Sequence, residues 1–390
     1  MRHLLRMAAL AGALVAGTAV HADVSLNVVY LRVAEEMPPV LSNLDPRPDD
    51  LGLAGAMLGL EDNRTTGRFL GQMHEMRVIE VPLGGDLAPA VMEALGVSDL
   101  VLVDAPAQAL ETIADLDAAR DALLFNVAAT DVYLRGAGCR ANVLHTIPSR
   151  AMLADALMQA LLAKKWTDLA LVTGQRAGDE AWAAALRESA AKFRLDIRGE
   201  KTWGVEADMR RNASAEVPLF TQDLKDHDVL LVADEAGDFG RYIAYNTMAP
   251  RPVAGSEGLV PVAWSRVVEQ WGAAQLQSRF TGLAGRDMES RDYAAWAAMR
   301  SIGEAVTRMN AADAATLKAY ILSDDFELAG FKGRPMSYRA FNGQLRQPIA
   351  LVTERAVVAD APMEGFLHSE NELDTLGLDR PESACTAFEG

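Results

Sequence analysis

Short runs of β-branched and other apolar residues alternate with stretches of helical periodicity along this chain. Residues 24–33, 76–82 and 99–103 are predicted strands, and residues 51–61 and 87–95 are predicted helices between them. Apolar side chains recur at helical spacing in 51–61, whereas 99–103 is apolar throughout, as in a strand buried on both faces. This alternation is typical of an α/β fold with a parallel sheet covered by helices.

The central part of the chain repeats the same pattern. Helices are predicted at 152–163 and 179–193, and strands at 169–173 and 228–233. With 390 residues, half of them apolar, the chain is long enough to bury two cores. The sequence therefore predicts two doubly wound parallel-sheet lobes.

The N-terminus has the features of a cleavable export signal. Arg2 and Arg6 precede an apolar run over residues 7–20, and residues 20–22 fit a cleavage site, which predicts a signal peptide over 1–22. The apolar run is shorter than the roughly 20 residues that a membrane-spanning helix needs. Asp23 stands where a lipoprotein would need a cysteine. We therefore expect a periplasmic protein without direct membrane insertion.

Charge and motifs exclude several classes of function. The formal net charge is −17, and loss of the two signal arginines lowers it to −19, which makes nucleic acid and anionic membranes poor partners. The sequence contains no nucleophile elbow, P-loop, metalloprotease or EF-hand pattern. Residues 136–141 match the letters of a dinucleotide fingerprint, but a strand-like run follows where that motif needs a helix. We therefore expect no enzymatic activity and no required cofactor.

The chain has two cysteines, Cys139 and Cys385. In an oxidising compartment they allow one disulfide that ties the C-terminal tail to the middle of the chain. Two unpaired thiols are the alternative, and the sequence leaves both open.

Several segments resemble the type I periplasmic solute-binding proteins that serve branched-chain amino acid and amide ABC transporters. Gly55-Ala-Met-Leu-Gly-Leu-Glu-Asp-Asn63, followed by Thr66–Gly71, resembles the end of the family's first helix and its glycine turn into the second strand. Asn142–Ser149 resembles the segment that crosses to the second lobe. Residues 293–306 resemble the long first-lobe helix, and 326–343 its returning hairpin.

The resemblance implies two lobes joined by a three-segment hinge that closes around a ligand. It places residues 23–147 and 262–340 in lobe 1, and residues 148–261 and 341–390 in lobe 2. The implied partners are an ABC transporter permease, its ATPase and a small-molecule or metal ligand.

A narrower resemblance concerns residues 134–150 and 233–240. These segments look like a subgroup associated with pyrroloquinoline quinone-dependent alcohol dehydrogenase systems, which is assigned to an ABC importer. Because those dehydrogenases need calcium or a lanthanide, the resemblance implies a cargo connected with the metal, its chelate or the alcohol pathway.

Ligand-binding residues are expected where strands of the two lobes end at the cleft. The candidates are Asp104, Gln108, Asn126, Asp131, Asp234, Glu235, Asp238, Tyr242 and Trp264. In amino-acid-binding members of the family, the loops after the third and fourth strands offer hydroxyl and backbone donors to the ligand carboxylate, and an acid of the second lobe takes the ammonium. Here Asp104 follows the third strand, and its negative charge would repel a carboxylate. A simple amino acid is therefore a poor fit.

The acidic candidates would suit a hard cation such as calcium or a lanthanide. They are Asp104, Asp131, Asp234, Glu235 and Asp238. Structural roles compete with this interpretation, because aspartate is common at helix N-termini and nearby arginines can pair with these acids. Arg135, Arg140 and Arg150 are expected to pair in this way.

The sequence thus predicts the periplasmic binding component of an ABC importer linked to quinoprotein alcohol oxidation, with a metal or metal chelate as the first candidate cargo. The alternatives are a binding protein for a branched-chain amino acid, an amide or another small organic ligand, and a ligand sensor without a transport role.

Overall fold

The computed structural model describes residues 24–36, 47–205 and 208–389. The predicted signal peptide lies outside the described residues. The strands, in chain order, are β1 (Val24–Val33), β2 (Gln72–Val81), β3 (Leu100–Asp104), β4 (Leu123–Asn126), β5 (Val143–His145), β6 (Asp168–Thr173), β7 (Asp196–Thr202), β8 (Val229–Ala233), β9 (Val253–Gly255), β10 (Val260–Val262), β11 (Ser337–Tyr338), β12 (Leu345–Arg346), β13 (Ile349–Val352) and β14 (Val357–Ala361). The helices are α1 (Leu53–Leu70), α2 (Leu87–Leu95), α3 (Ala107–Ala114), α4 (Arg150–Ala163), α5 (Ala177–Phe193), α6 (Met209–Thr221), α7 (Gly240–Ile243), α8 (Ala273–Ala284), α9 (Ser290–Met309) and α10 (Ala314–Ile321).

Lobe 1 is built on a parallel five-stranded sheet in the order β2-β1-β3-β4-β5. Every residue of β3 is buried, which agrees with its continuous apolar sequence. Helices α1 and α9 pack closely on each other. A Cβ on Gly55 would lie 1.9 Å from the carbonyl oxygen of Asp292, so only glycine allows this approach.

The first helix is longer than the sequence predicts. It continues through Asp62 and Asn63 to Leu70 and ends at Gly71, whose φ of 69° is left-handed. Asn63 donates to the carbonyl oxygen of Met299, and Trp296 Nε1 donates to Asp62. The polar residues that resembled a helix end are therefore stabilised within the helix by α9.

Lobe 2 is built on a parallel four-stranded sheet in the order β7-β6-β8-β9. A second, antiparallel sheet in the order β10-β13-β14 packs on α4. The two parallel sheets confirm the predicted α/β class with two doubly wound lobes. No helix in the described parts of the chain is long and apolar enough to span a membrane.

Three segments cross between the lobes. They connect β5 to α4, β10 to α8, and β12 to β13. The third crossing lies after Arg346, beyond the predicted lobe boundary at residue 340, because Leu345 and Arg346 pair back onto β11. The predicted returning hairpin is thus the β11–β12 hairpin, with Gly343 in its turn at a φ of 68°.

The end of the chain returns from lobe 2 to lobe 1, although the sequence analysis assigned the whole C-terminal segment to lobe 2. Cys385 forms a disulfide with Cys139, across a sequence separation of 246 residues. Ser383 also donates to the carbonyl oxygen of Arg135. Of the two cysteine states that the sequence left open, the structure has the disulfide, and it fixes the tail beside the hinge.

Candidate ligand-binding cleft

Three cavities border the two parallel sheets: two pockets lie at carboxyl ends of strands, whereas an interlobe groove also includes residues that precede β6 and β9. The lobe 1 pocket, of about 590 Å³, is lined by residues that follow β1, β2 and β3. The lobe 2 pocket, of about 740 Å³, is lined by residues that follow β6, β7 and β8. The interlobe groove, of about 1750 Å³, begins at Ala128 and Thr130 of lobe 1 and extends along β9 and β10 of lobe 2. The carboxyl ends of strands, which border the two pockets, are where ligands bind in open α/β sheets.

Asp104 ends β3 in the wall of the lobe 1 pocket, where it was predicted to contact the ligand. Its side chain is 2% exposed. It accepts hydrogen bonds from Tyr30 Oη at 2.8 Å, Arg32 Nε at 3.2 Å and Arg291 Nη1 at 3.2 Å. Two guanidinium groups therefore surround one carboxylate, and burial beside Asp104 raises the pKa of Tyr30 well above its usual value. The repulsion expected between Asp104 and an anionic ligand is offset by its own partners.

The two arginines bound to Asp104 differ in what they leave exposed. Arg32 uses its remaining groups on the carbonyl oxygens of Asp49 and Leu51. Arg291 is 27% exposed, and its Nε and Nη2 atoms make no hydrogen bond to the part of the chain that the structure describes. Arg291 lines both the lobe 1 pocket and the interlobe groove. It is thus a cationic donor at the junction of two cavities.

Two other candidates of lobe 1 do not line these cavities. Gln108 lies on the exposed side of the first turn of α3. Asn126 is buried at the end of β4, where its Oδ1 accepts from the backbone N–H groups of Ala128 and Ala129. Its amide also contacts His145 Nδ1 at 3.0 Å. Asn126 therefore shapes the loop that leads into the groove.

Arg150, the first residue of α4, joins acids of both lobes. Its Nε and Nη2 atoms hold the Oε1 and Oε2 atoms of Glu235 at 2.7 and 2.8 Å. Its Nη1 lies 3.2 Å from Asp131 Oδ1 as an ion pair that lacks hydrogen-bond alignment. Burial favours a lower pKa for Arg150, but the two acids raise it above the usual value. Asp131 and Glu235, both predicted to bind cargo, are held by this arginine.

The other acidic candidates of lobe 2 are also engaged. Asp234 is buried, and its two carboxylate oxygens accept from the backbone N–H groups of Asp238, Phe239 and Gly240. This arrangement orders the start of α7, so Asp234 stabilises the loop. Asp238 accepts from Arg176 Nε at 2.6 Å in the wall of the lobe 2 pocket.

The five carboxylates predicted to bind metal are therefore not assembled into one cluster. Among the residues that the structure describes, no group of three or more histidine, cysteine, aspartate or glutamate side chains is placed to hold a metal ion. The physical reason is that each of the five is neutralised by arginine or by backbone N–H groups. The arginines that pair with these acids include Arg150 but not Arg140, which binds Asp115.

Aromatic residues form a wall of the lobe 2 pocket. The rings of Trp203 and Phe239 are stacked with centroids 4.8 Å apart, and Tyr242, a predicted ligand contact, lines the same pocket. Trp264 is likewise buried, and it stacks on Tyr293 in the core of lobe 1. It contributes only an edge of the interlobe groove.

The sequence analysis missed Arg291, Arg176, Trp203 and Phe239. For Arg291 a signal was present, because arginine near the start of a long helix that follows an acidic capping residue can project from the helix end. The predicted helix began at residue 293, whereas α9 begins at Ser290 after the N-cap Glu289. The shifted boundary left Arg291 in an apparent loop.

The two parallel sheets, their strand orders and the crossings between them define the fold of type I periplasmic binding proteins. None of the protein-family models matches the chain, and neither does any curated protein.

Solved structures of periplasmic binding proteins superpose on almost the whole chain. A branched-chain amino acid ABC transporter periplasmic ligand-binding protein from Burkholderia xenovorans has a TM-score of 0.70 at 16% identity, over 94% of this chain and 100% of its own. A leucine-, isoleucine-, valine-, threonine- and alanine-binding protein from Brucella ovis has a TM-score of 0.68 at 14% identity, over 93% and 98%. A solute-binding protein of an ABC transporter from R. palustris, in complex with benzoate, has a TM-score of 0.62 at 14% identity, over 93% and 99%. At these identities the similarity concerns the fold.

Proposed function

We propose that this protein is the periplasmic substrate-binding component of an ABC importer, which captures a small organic solute between its lobes and presents it to a permease with an associated ATPase. The observation that carries the proposal is the interlobe groove, because residues of both lobes line it and three crossings connect those lobes. A ligand bound there touches both lobes and stabilises their closed arrangement by its differential affinity.

The structural neighbours support a solute-binding role. Those compared above are periplasmic binding proteins, among them amino acid-binding proteins and one bound to benzoate. Amino acids and benzoate share a carboxylate and an apolar body. A ligand of this kind suits the interlobe groove, which Arg291 lines together with apolar and aromatic residues such as Val260 and Trp166.

The metal cargo receives no support from the geometry, because the five acids proposed for it are engaged elsewhere. The association with quinoprotein alcohol oxidation rests on sequence resemblance alone and stays a prediction. A carboxylic acid formed by alcohol oxidation would satisfy both that prediction and the chemistry of the cleft.

Ligand binding and lobe closure test the proposal together. The mature chain from Asp23 is titrated with amino acids, amides, alcohol-derived acids, aromatic acids, calcium and lanthanum, with thermal unfolding as the readout. Because the ligand binds only the folded state, a solute at about 100 times its Kd raises the free energy of unfolding by about 2.7 kcal/mol.

Small-angle X-ray scattering on the same samples measures compaction. We expect a saturable shift and a smaller radius of gyration with an organic solute. A shift with lanthanum alone would restore the metal cargo, and binding that leaves the lobes unchanged would favour a role other than capture by closure.

Transport and sensing require the same cleft and differ in the partner. A permease and ATPase encoded beside this chain favour import, and stimulation of that ATPase by the liganded protein is the direct test. A neighbouring kinase or cyclase would instead favour the ligand sensor.

A further inference from the structure

We propose that the cleft selects small organic carboxylates that lack an α-ammonium group, and that Arg291 holds the carboxylate. The inference rests on the proposed function and narrows it to one class of substrate. Three observations carry it: the two donors of Arg291 that have no partner among the described residues, the excess of basic residues along the groove, and the pairing of the acids at the strand ends of lobe 2.

Arg291 presents a two-donor edge to the junction of the lobe 1 pocket and the interlobe groove. Nη1 is held by Asp104, which Tyr30 and Arg32 fix in turn. The Nε and Nη2 atoms lie on one edge of the planar guanidinium, and this edge matches the two oxygens of a carboxylate. Because Asp104 already restrains the side chain, binding a carboxylate costs little additional side-chain entropy.

The same protein shows how such an edge binds a carboxylate. Arg150 uses Nε and Nη2 to hold both oxygens of Glu235, at 2.7 and 2.8 Å. Arg346 holds Asp374 through the same two atoms, at 2.8 and 3.0 Å. In those pairs the carboxylate belongs to the chain, whereas the equivalent edge of Arg291 has no carboxylate partner among the described residues.

The charge of the groove is the reverse of the charge of the whole chain. The chain carries a formal net charge of −17, yet six basic and four acidic side chains line the interlobe groove. An excess of basic residues along a cleft of low dielectric attracts an anionic ligand. An acidic protein with a basic groove is therefore suited to capture a small anion.

An amino acid would also need an acid to accept its ammonium group from the lobe 2 side of the cleft. Glu235 is held by both donors of Arg150, and Asp238 is held by Arg176. Asp234 accepts three backbone N–H groups. Binding an ammonium at any of these three acids would require breaking an existing hydrogen bond to its carboxylate, and among the acids of the groove Asp287 is likewise held by Arg266. The strand ends of lobe 2 therefore favour acids without the amine over amino acids.

The apolar body of such an acid has a surface to contact. The interlobe groove that Arg291 lines is also lined by Trp166, Tyr245, Val260 and Val262. Aromatic walls bind flat or branched apolar groups without requiring polar partners. The substrate class is therefore an aromatic or branched aliphatic carboxylic acid.

Matched pairs of probes test the two chemical requirements. Leucine and 4-methylpentanoate differ in the ammonium group, whereas benzamide and benzoate differ in the charge of the head group. With the mature protein in isothermal titration calorimetry, we expect each carboxylate without an amine to bind at least about tenfold more tightly than its partner, since hydrogen bonds between charged groups are the strong ones.

Substitution of Arg291 assigns the effect to one residue. Arg291→Gln should weaken benzoate and 4-methylpentanoate by about tenfold or more and leave benzamide unchanged. Arg140→Gln is the matched control, because Arg140 is about as exposed as Arg291 and pairs with Asp115 and Glu111 but lines none of the three cavities. If Arg291→Gln does not fold, Arg291→Lys keeps the charge and lacks the two-donor edge, and it should lose part of the affinity for carboxylates.

The outcomes separate this inference from the broader function. Tighter binding of leucine than of 4-methylpentanoate, or equal binding of benzamide and benzoate, would overturn the substrate class and leave the importer role standing. Unchanged carboxylate affinity in Arg291→Gln would overturn the assignment of Arg291. Absence of binding by every organic solute in the panel would remove both the inference and the proposed function.

Discussion

Arg135 beside the hinge and Arg291 in the cleft use their guanidinium groups differently. Arg135 is fully buried, and it donates to Gln344 Oε1 and to the carbonyl oxygens of Ala129, Asp131 and Ile147. Among the described residues Arg291 donates only to Asp104, so two donors of a residue that lines two cavities have no partner there.

The number of hydrogen-bond partners that a guanidinium group has distinguishes structural arginines from ligand-binding ones, whatever their position in the sequence. A buried guanidinium whose donors all have partners holds segments of the chain together. A guanidinium group that is held at only one of its nitrogen atoms still has N–H donors available for a ligand. Four predictions follow in order of decreasing expected effect on stability, and the first and last of them test this distinction directly.

The largest effect is expected at Arg135. Arg135→Met leaves several buried acceptors without a donor, and each such group costs about 1–3 kcal/mol, so we expect a loss of about 3–5 kcal/mol in the free energy of unfolding. Denaturant titration of the variant measures the loss. Arg120→Met is the control, because Arg120 is exposed and pairs only with exposed Asp117, and it should change stability by less than about 0.5 kcal/mol. Equal stability of the two variants would contradict a structural role for Arg135.

The disulfide beside the hinge should contribute somewhat less. Replacing Cys139 and Cys385 together by alanine releases a constraint on the unfolded chain, and we expect a loss of about 2–4 kcal/mol. Reduction of the unmodified protein should lower stability by a similar amount. Ligand affinity should stay unchanged, since neither cysteine lines the cavities described above. A loss of affinity equal to the loss produced by Arg291→Gln would show that hinge and cleft are coupled.

Lys332 should make stability depend on pH. Its amine donates to Gln347 Oε1 and the carbonyl oxygen of Pro348 and lies 4.5 Å from the ring centre of Tyr293. Burial lowers its pKa from 10.5 to about 7, although Asp360 opposes this shift. Between these two values the unfolded chain holds a proton that the folded chain releases, so the free energy of unfolding should rise with pH.

The comparison with Lys332→Met isolates this effect. From pH 7 to 9 the unmodified protein should gain about 1–3 kcal/mol relative to the variant, because one pKa unit corresponds to about 1.4 kcal/mol. Chemical denaturation at several pH values measures the difference. Parallel pH profiles for the two proteins would show that Lys332 titrates at its ordinary value.

The smallest effect on stability is expected at Arg291. Arg291→Gln leaves Asp104 with Tyr30 and Arg32, and partly exposed ion pairs contribute about 0–1 kcal/mol, so the free energy of unfolding should fall by less than about 1 kcal/mol. The variant should nevertheless lose affinity for carboxylates. A loss of stability comparable to that of Arg135→Met would remove the distinction between the two arginines.

Much of the fold could be predicted from the sequence. Strand β1 and helix α2 have the predicted bounds, β6 and β8 differ from theirs by one residue at one end, and β3 is shifted by one residue at both ends. Local periodicity sufficed there, because buried strands must be apolar and helices must present an apolar face. It failed at α1, where Asp62 and Asn63 bind residues of α9 more than 230 positions away.

The cleft was less predictable than the fold. Of the acids predicted at the strand ends, Asp104 and Asp238 line the cavities, whereas Asp131, Asp234 and Glu235 do not. Their roles were not predictable, because a carboxylate that binds cargo and one that binds a neighbouring arginine look the same in a sequence. Only the positions of Arg150, Arg176 and Arg291 distinguish these cases.

The sequence by itself determined the α/β class, the two lobes and the acidic charge, since these follow from local pattern and composition. The tertiary structure decided which charges remain available to a ligand. Asp104 and Arg291 are 187 residues apart in the chain, and their contact neutralises the acid while directing the arginine toward the cavities. Such pairing depends on distances between distant segments, which periodicity and composition do not encode.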